Sequence, residues 1–224
     1  SYSRRMMDLA EENINKIIYG GGAVLLAAVI VLGMMWAKAN RIDAAREALA
    51  RSLNLYFIET RTDAPSEDGE QRVPDLSVPL EAFRDTAEEY RGTAQGDFAS
   101  FYTANLLFRT GRYDEAAEEV RSLIDREPAF AAGVNAEVLL ARILETAEKY
   151  GEAAEIYGRQ ASGKAGDMRA MLMIDAARCF ELSGDRDRAV DLYRSVVEEF
   201  GETSFGVRAD TKLAILGVRM DKSL

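Results

Sequence analysis

The sequence predicts an all-α chain with one N-terminal transmembrane helix followed by an α-solenoid. An uncharged apolar run fills Ile17–Ala37, and a helix-turn-helix pattern recurs three times after it. The 224 residues hold only four prolines, among abundant Ala, Glu, Leu and Arg, a composition that favours helix nearly throughout.

Residues 1–16 read as a short amphipathic segment leading into the apolar run. That run, IIYGGGAVLLAAVIVLGMMWA, is 21 residues without a charge, roughly 31 Å long as a helix and so matched to a bilayer's hydrocarbon core. Tyr19 and Trp36 stand near its ends, where amphipathic rings favour the headgroup zone. The predicted span is 17–37. A cleavable signal peptide competes, because Ala37-Lys38-Ala39 offers a small-x-small site, but the run is long for one and Lys38 sits inside that site. The other competitor is a buried core helix, which Gly20, Gly21, Gly22 and Gly33 suit less well than they suit lipid.

Residues 38–96 read as a connecting helix, a polar loop and a degenerate zeroth repeat. Ile42, Ala45, Leu49, Leu53 and Tyr56 continue a helical stripe, and Leu80–Arg91 forms a second helix with Phe83, Ala87 and Tyr90 on one side. Thr60–Pro79 between them holds three of the four prolines. Its Asp63, Glu67, Asp68 and Glu70 lack the alternating ligands of an EF-hand. A solvated loop accounts for them, with a calcium or partner contact as the alternative.

Residues 97–202 carry the repeats. GRYDEAAEEV (from Gly111), EKYGEAAEIY (from Glu148) and GDRDRAVDLY (from Gly184) align, with Ala116, Ala153 and Ala189 spaced by 37 and 36 residues. Each follows a helical segment bearing Ala104, Ala141 or Ala177. This pattern resembles the tetratricopeptide repeat, whose units are helix-turn-helix hairpins with small residues where the helices approach. On that resemblance, Val120, Tyr157 and Tyr193 match one bulky position of the second helix, and Pro128 matches the closing proline of the first unit. Gly111 and Gly184 match the turn glycine, where the second unit has Glu148. The expected fold is a tetratricopeptide-like α-solenoid, in which each hairpin buries its apolar face on its neighbours. Residues 203–224 are expected to cap its end with a helix whose stripe is Val207, Ala209, Leu213, Ala214 and Leu216.

The whole net charge of −10 lies after the apolar run, because Arg4, Arg5 and Lys16 balance Asp8, Glu11 and Glu12 before it. Such an acidic domain argues against nucleic acid as a partner. The chain has no histidine, the commonest general base and metal ligand. The lone Cys179 reads as a small residue filling a helix interface. No phosphate loop, zinc spacing or catalytic triad can be assembled, so no enzyme activity, cofactor or metal is expected.

The resemblance implies a protein-binding groove lined by the first helices of the hairpins. Carried over residue by residue, its lining is Phe98, Phe101, Asn105, Phe108 and Arg109 in the first unit. The second contributes Asn135, Val138, Arg142, Glu145 and Thr146, and the third Met171, Ile174, Arg178, Glu181 and Leu182. Arg142 with Glu145, and Arg178 with Glu181, are expected to neutralise each other three residues apart on one helix. The carboxylate clamp of some relatives matches only at Asn105, which leaves an apolar, aromatic groove for an extended or helical protein segment. An alternative role for Phe98 and Phe101 is packing against the zeroth repeat.

Flanking charges do not decide the orientation, since basic residues stand on both sides of the span. One N-terminal anchor plus a short divergent array resembles a bacterial inner-membrane family of ancillary secretory-translocon subunits, associated with a membrane-anchored periplasmic chaperone. That resemblance implies a single-pass inner-membrane protein with periplasmic repeats, acting as an adaptor for other proteins. The alternatives are a permanent structural or assembly subunit, bound to integral membrane subunits of a larger respiratory, photosynthetic, secretion or motor complex, and a cytoplasm-facing receptor.

Overall fold

The computed structural model describes residues 2–61 and 74–219, with side chains in the first helix at Ile14, Tyr19 and from Gly21 onward. The described residues form ten helices and no strand: α1 (Tyr2–Thr60), α2 (Ser77–Glu89), α3 (Ala94–Arg109), α4 (Tyr113–Arg126), α5 (Pro128–Gly133), α6 (Ala136–Thr146), α7 (Tyr150–Ser162), α8 (Gly166–Leu182), α9 (Arg186–Phe200) and α10 (Ser204–Ile215). They group into two compact units, Ser1–Ala48 and Leu49–Leu224, and α1 runs across the boundary.

In the first unit α1 is unbroken through the predicted span. Its apolar window has a mean hydropathy of 2.0 and is 0% buried. Leu25 and Leu32 are exposed, as are Met35 and Trp36. A helix that is apolar all round and covered by no protein surface is long and apolar enough to cross a membrane. The core-helix alternative fails here, because a core helix would be covered.

In the second unit, α1 from Leu49 onward is the first helix of the zeroth pair and α2 is its partner. Ser52 Oγ lies 3.0 Å from both the Ala82 carbonyl and Thr86 Oγ1, so the buried hydroxyls satisfy one another across the seam. The expected second helix begins earlier than Leu80, at Ser77. Asp75 accepts from the Ser77 amide and hydroxyl, and Pro79 falls in the first turn, where a missing N–H costs no helical bond. Phe83 is fully buried and stacks on Tyr102, with centroids 4.9 Å apart. Asp63, Glu67, Asp68 and Glu70 lie outside the described residues.

The three predicted hairpins are α3/α4, α6/α7 and α8/α9. Ala104, Ala141 and Ala177 on the first helices, and Ala116, Ala153 and Ala189 on the second, are all 0% exposed, because a Cβ is all that fits where the paired helices approach. The turns are left-handed at Gly111 (φ 78), Glu148 (φ 60) and Gly184 (φ 87). Each closes with the same two backbone bonds, as in Gly111 N–H to Phe108 O and Arg112 N–H to Leu107 O. Glu148 is thus driven by the helix ending into a conformation that costs an L-residue about 1–2 kcal/mol.

Pro128 stands directly after α4, which ends at Arg126, and opens α5 at its N-terminus, where a fixed φ is favourable. A left-handed Asn135 (φ 52) then splits the first helix of the second unit into α5 and α6. At the end of the array, α10 does bury Ala209 and Leu213, but Val207 is 62% exposed and Ala214 is also exposed. These two residues belong to the opposite face of the helix.

The joints before α3 and α10 are alike. Thr93 and Thr203 each accept at the side chain from the amide three residues on, Gly96 or Gly206. A Cβ at Gly96 would stand 2.3 Å from Tyr90 O, and one at Gly206 the same distance from Phe200 O. Glycine is required there by the tight approach of consecutive helices.

Candidate protein-binding face

The residues carried over to the groove lie on the first helices, as expected, but most are engaged with the neighbouring helix. Ile174 is 2% exposed and belongs to the core; it does not line an open surface. Phe101, Phe108 and Val138 are half-buried against that core. Asn105 donates to the Phe101 carbonyl at 2.8 Å, so the one match to a carboxylate clamp is spent on its own helix. Phe98 packs edge-on against Phe130 of α5 at 4.8 Å and remains 41% exposed.

The charged positions form a ladder between units. Arg178 of α8 bonds Glu145 of α6, and its other nitrogen reaches Asp175 at 3.2 Å. Lys212 of α10 reaches Glu181 of α8 at 3.3 Å. Tyr157 and Tyr193 on the second helices donate to Glu145 and Glu181, both at 3.2 Å. The first unit has Phe108 at the glutamate's register, and there Arg142 lies over the ring, 5.9 Å from its centroid. Arg109 likewise lies over Tyr56 and donates to its hydroxyl at 2.6 Å. The expected pairs within one helix, Arg142 with Glu145 and Arg178 with Glu181, are therefore replaced by contacts from each first helix back to the preceding one. Each partly desolvated glutamate is thus shared by a tyrosine of its own hairpin and a cation of the following first helix.

The electrostatics follow from this geometry. Burial pushes the Glu145 carboxyl up, but the hydrogen bonds and charge of Arg178, with the Tyr157 hydroxyl, outweigh it and hold the group below its ordinary value. Burial, then the neighbouring Glu145, pushes the Tyr157 hydroxyl up, so it stays a donor. Burial likewise pushes the Cys179 thiol up to about 12, which makes it an inert core residue.

Sequence reasoning missed Lys212 as a rung and the two tyrosines as donors. The signal was present in the parallel spacing of Glu145 with Glu181 and of Tyr157 with Tyr193. Beside these contacts the first helices leave apolar side chains open. Phe98 and Met171 share one register ahead of their turns and are 41% and 38% exposed. Leu182 is 52% exposed at the far end of α8.

The tetratricopeptide repeat family model matches residues 172–203, which span the end of α8, all of α9 and the joint to α10. The chain contains a tetratricopeptide repeat. The match falls on the hairpin whose two alanine positions are both fully buried. Its register extends by geometry to the other two hairpins, where the alanines and left-handed turns recur. A comparison with curated proteins finds no significant match.

Proposed function

We propose that this chain is a membrane-anchored, non-catalytic protein-interaction module, whose first helices hold an apolar segment of another protein. The observation that carries this reading is the ladder: Arg178 with Glu145 and Lys212 with Glu181 pair across the units, while Phe98 and Met171 stay exposed for a partner. Tetratricopeptide repeats generally mediate protein–protein contacts, and α1 supplies an apolar helix of membrane-crossing length. The finer reading is an adaptor or ancillary subunit at the secretory translocon and its periplasmic chaperone network, in the bacterial inner membrane. It rests on the likeness of one anchor plus a short divergent array to that family, a fold-level analogy.

A photocrosslinking residue at Met171 in the full chain, in native membranes, should capture a partner. The double variant Phe98→Ser/Met171→Ser should lose most of that partner while keeping its helicity and membrane insertion. Partner recovery unchanged by the double variant would move binding off this face. Ser162→Cys, on an exposed site, should react with an impermeant thiol reagent in intact spheroplasts, and labelling only after lysis would refute a periplasmic array. Stoichiometric retention of the captured protein through gentle detergent purification would favour the permanent-subunit reading over the adaptor.

A further inference from the structure

The core register that α8 fills with Ala170, Met173 and Ala176 carries Asp97, Ser100 and Thr103 in α3, in the alignment that sets Ala104 on Ala177. All six side chains are buried. One helix thus presents an apolar stripe, and the other a polar one, at the same place in the repeat. Among the described residues, the other buried serine and threonine are Ser52 and Thr86 of the neighbouring zeroth pair, so the buried hydroxyls gather at one joint. That joint is only partly satisfied. Thr103 donates to the Ala99 carbonyl at 2.9 Å, and Ser100 accepts from Arg126 at 3.2 Å. Asp97 Oδ1 and Arg126 Nε are buried without a hydrogen-bond partner. The ion pair between the two residues spans 3.7 Å, too far for a hydrogen bond. Beside it an open cavity of about 190 Å³ lies between α2 and α4, with Ser100 and Thr103 of α3 in its lining. The stacked Phe83 and Tyr102 hold α2 to α3. Arg84 and Glu115 link α2 to α4 at 3.7 Å, each about half exposed, and such a pair contributes little.

We propose that this joint is a pH-sensitive device: the zeroth pair parts locally from α3, with α6–α9 still packed, as Asp97 ionises. An ionised carboxylate buried without its hydrogen bonds is costly, and opening lets water supply them. The protonated carboxyl carries a smaller penalty, so the closed joint prefers it. Burial, then Glu127, pushes the Asp97 carboxyl up against the pull of Arg126, in line with that preference. The other charged groups around the cavity, Arg84, Glu88, Arg91 and Glu119, are of both signs. They leave Arg126 and Glu127 as the partners that set the balance. The proton therefore stabilises the closed joint fully below the ordinary carboxyl value, and this is lost as pH rises through the value of the closed state. One proton makes opening at most about tenfold more frequent per pH unit within that window. The apolar stripe of α8 offers no such group, so α8 and α9 should open only with a larger part of the fold.

Hydrogen exchange of the full chain in detergent micelles, read by mass spectrometry and corrected for the intrinsic rate at each pH, tests this. Amides of α2 and α3 should open about tenfold or more often than those of α8 and α9, and the excess should grow with pH through the window. In Asp97→Asn the excess should no longer follow pH. Giving α3 the stripe of α8, by Asp97→Ala, Ser100→Met and Thr103→Ala together, should bring α2 and α3 close to the protection of α8 and α9. Glu145 on α6 cannot imitate the effect, because its carboxyl is held below its ordinary value and acts with the opposite sign. The proposal is overturned if α2, α3, α8 and α9 exchange through one common opening. It is equally overturned if the excess is flat with pH in the parent, or follows pH as steeply in Asp97→Asn. Should circular dichroism show the triple variant unfolded, the parent and Asp97→Asn profiles alone decide.

Discussion

Glu145 is the rung at which the ladder can be tested most sharply. Glu145→Ala removes the acceptor of Arg178 and of the Tyr157 hydroxyl, on a tyrosine only 2% exposed. A charge-assisted hydrogen bond contributes about 1.5–3 kcal/mol, and a buried hydroxyl left unpaired costs about 1–3 kcal/mol. The side chains of Arg178 and Glu145 are 29% and 20% exposed, so water recovers part of both. The expected destabilisation is about 2–4 kcal/mol for the alanine variant, and less for Glu145→Gln, which keeps an acceptor. Far-UV circular dichroism during urea titration of the detergent-solubilised chain reads it; the single Trp36 lies in the apolar run and reports on the anchor instead. The decisive number is the coupling. Arg178→Ala with Glu145→Ala should couple by at least about 1 kcal/mol, whereas Arg142→Ala with Glu145→Ala should be additive within about 0.5 kcal/mol. The reverse order would show that the pair within one helix is the real one, and the ladder reasoning would be wrong. The pH dependence has a definite sign as well. The folded carboxyl is held below its unfolded value, so its stabilisation is present above the unfolded value and is lost as pH falls through the folded one. Glu145→Gln should flatten that acid limb.

Three further outcomes follow from the packing and the turns. Ala153→Leu overfills a fully buried helix crossing and should cost about 1–3 kcal/mol; an unchanged melting curve would mean the register is wrong. Glu148→Gly relieves a left-handed L-residue and should stabilise by about 0.5–1 kcal/mol after the added freedom of the unfolded chain is counted, read as an increase in melting temperature. Asp97 behaves oppositely to Glu145: burial first, then Glu127, raises it against the pull of Arg126. Its ionised form is thus a liability, smallest below the unfolded value and growing as pH rises through the folded one. The stability of Asp97→Asn relative to the parent should increase as pH rises from below the unfolded value through the folded one, and a difference that shrinks with rising pH would reverse the assignment.

The sequence by itself determined the elements and their repetition. A run of 21 uncharged residues has few fates other than a helix of membrane length, and recurring alanines mark helix crossings because no larger side chain fits there. The left-handed turns were legible at Gly111 and Gly184. The one at Glu148 was legible only as a departure, since its conformation is imposed by the helix ending. The Thr93-x-x-Gly96 and Thr203-x-x-Gly206 joints carried a local signal, but their meaning is that a Cβ there would stand 2.3 Å from the carbonyl of Tyr90 or Phe200, which becomes visible only once the helices are stacked. Tertiary structure alone decided which charges meet. Arg178 has Glu181 three residues away along its helix and Glu145 across the seam. Glu181 is held by Tyr193 and Lys212 while Glu145 is held by Arg178 and Tyr157, an allocation between helices that spacing along one helix does not contain. The same holds for Ile174 and Val207, which occupy one register and look equivalent in sequence. One is core and the other surface, because the burial of a repeat position depends on which neighbours pack against it, and only the tertiary structure gives those neighbours.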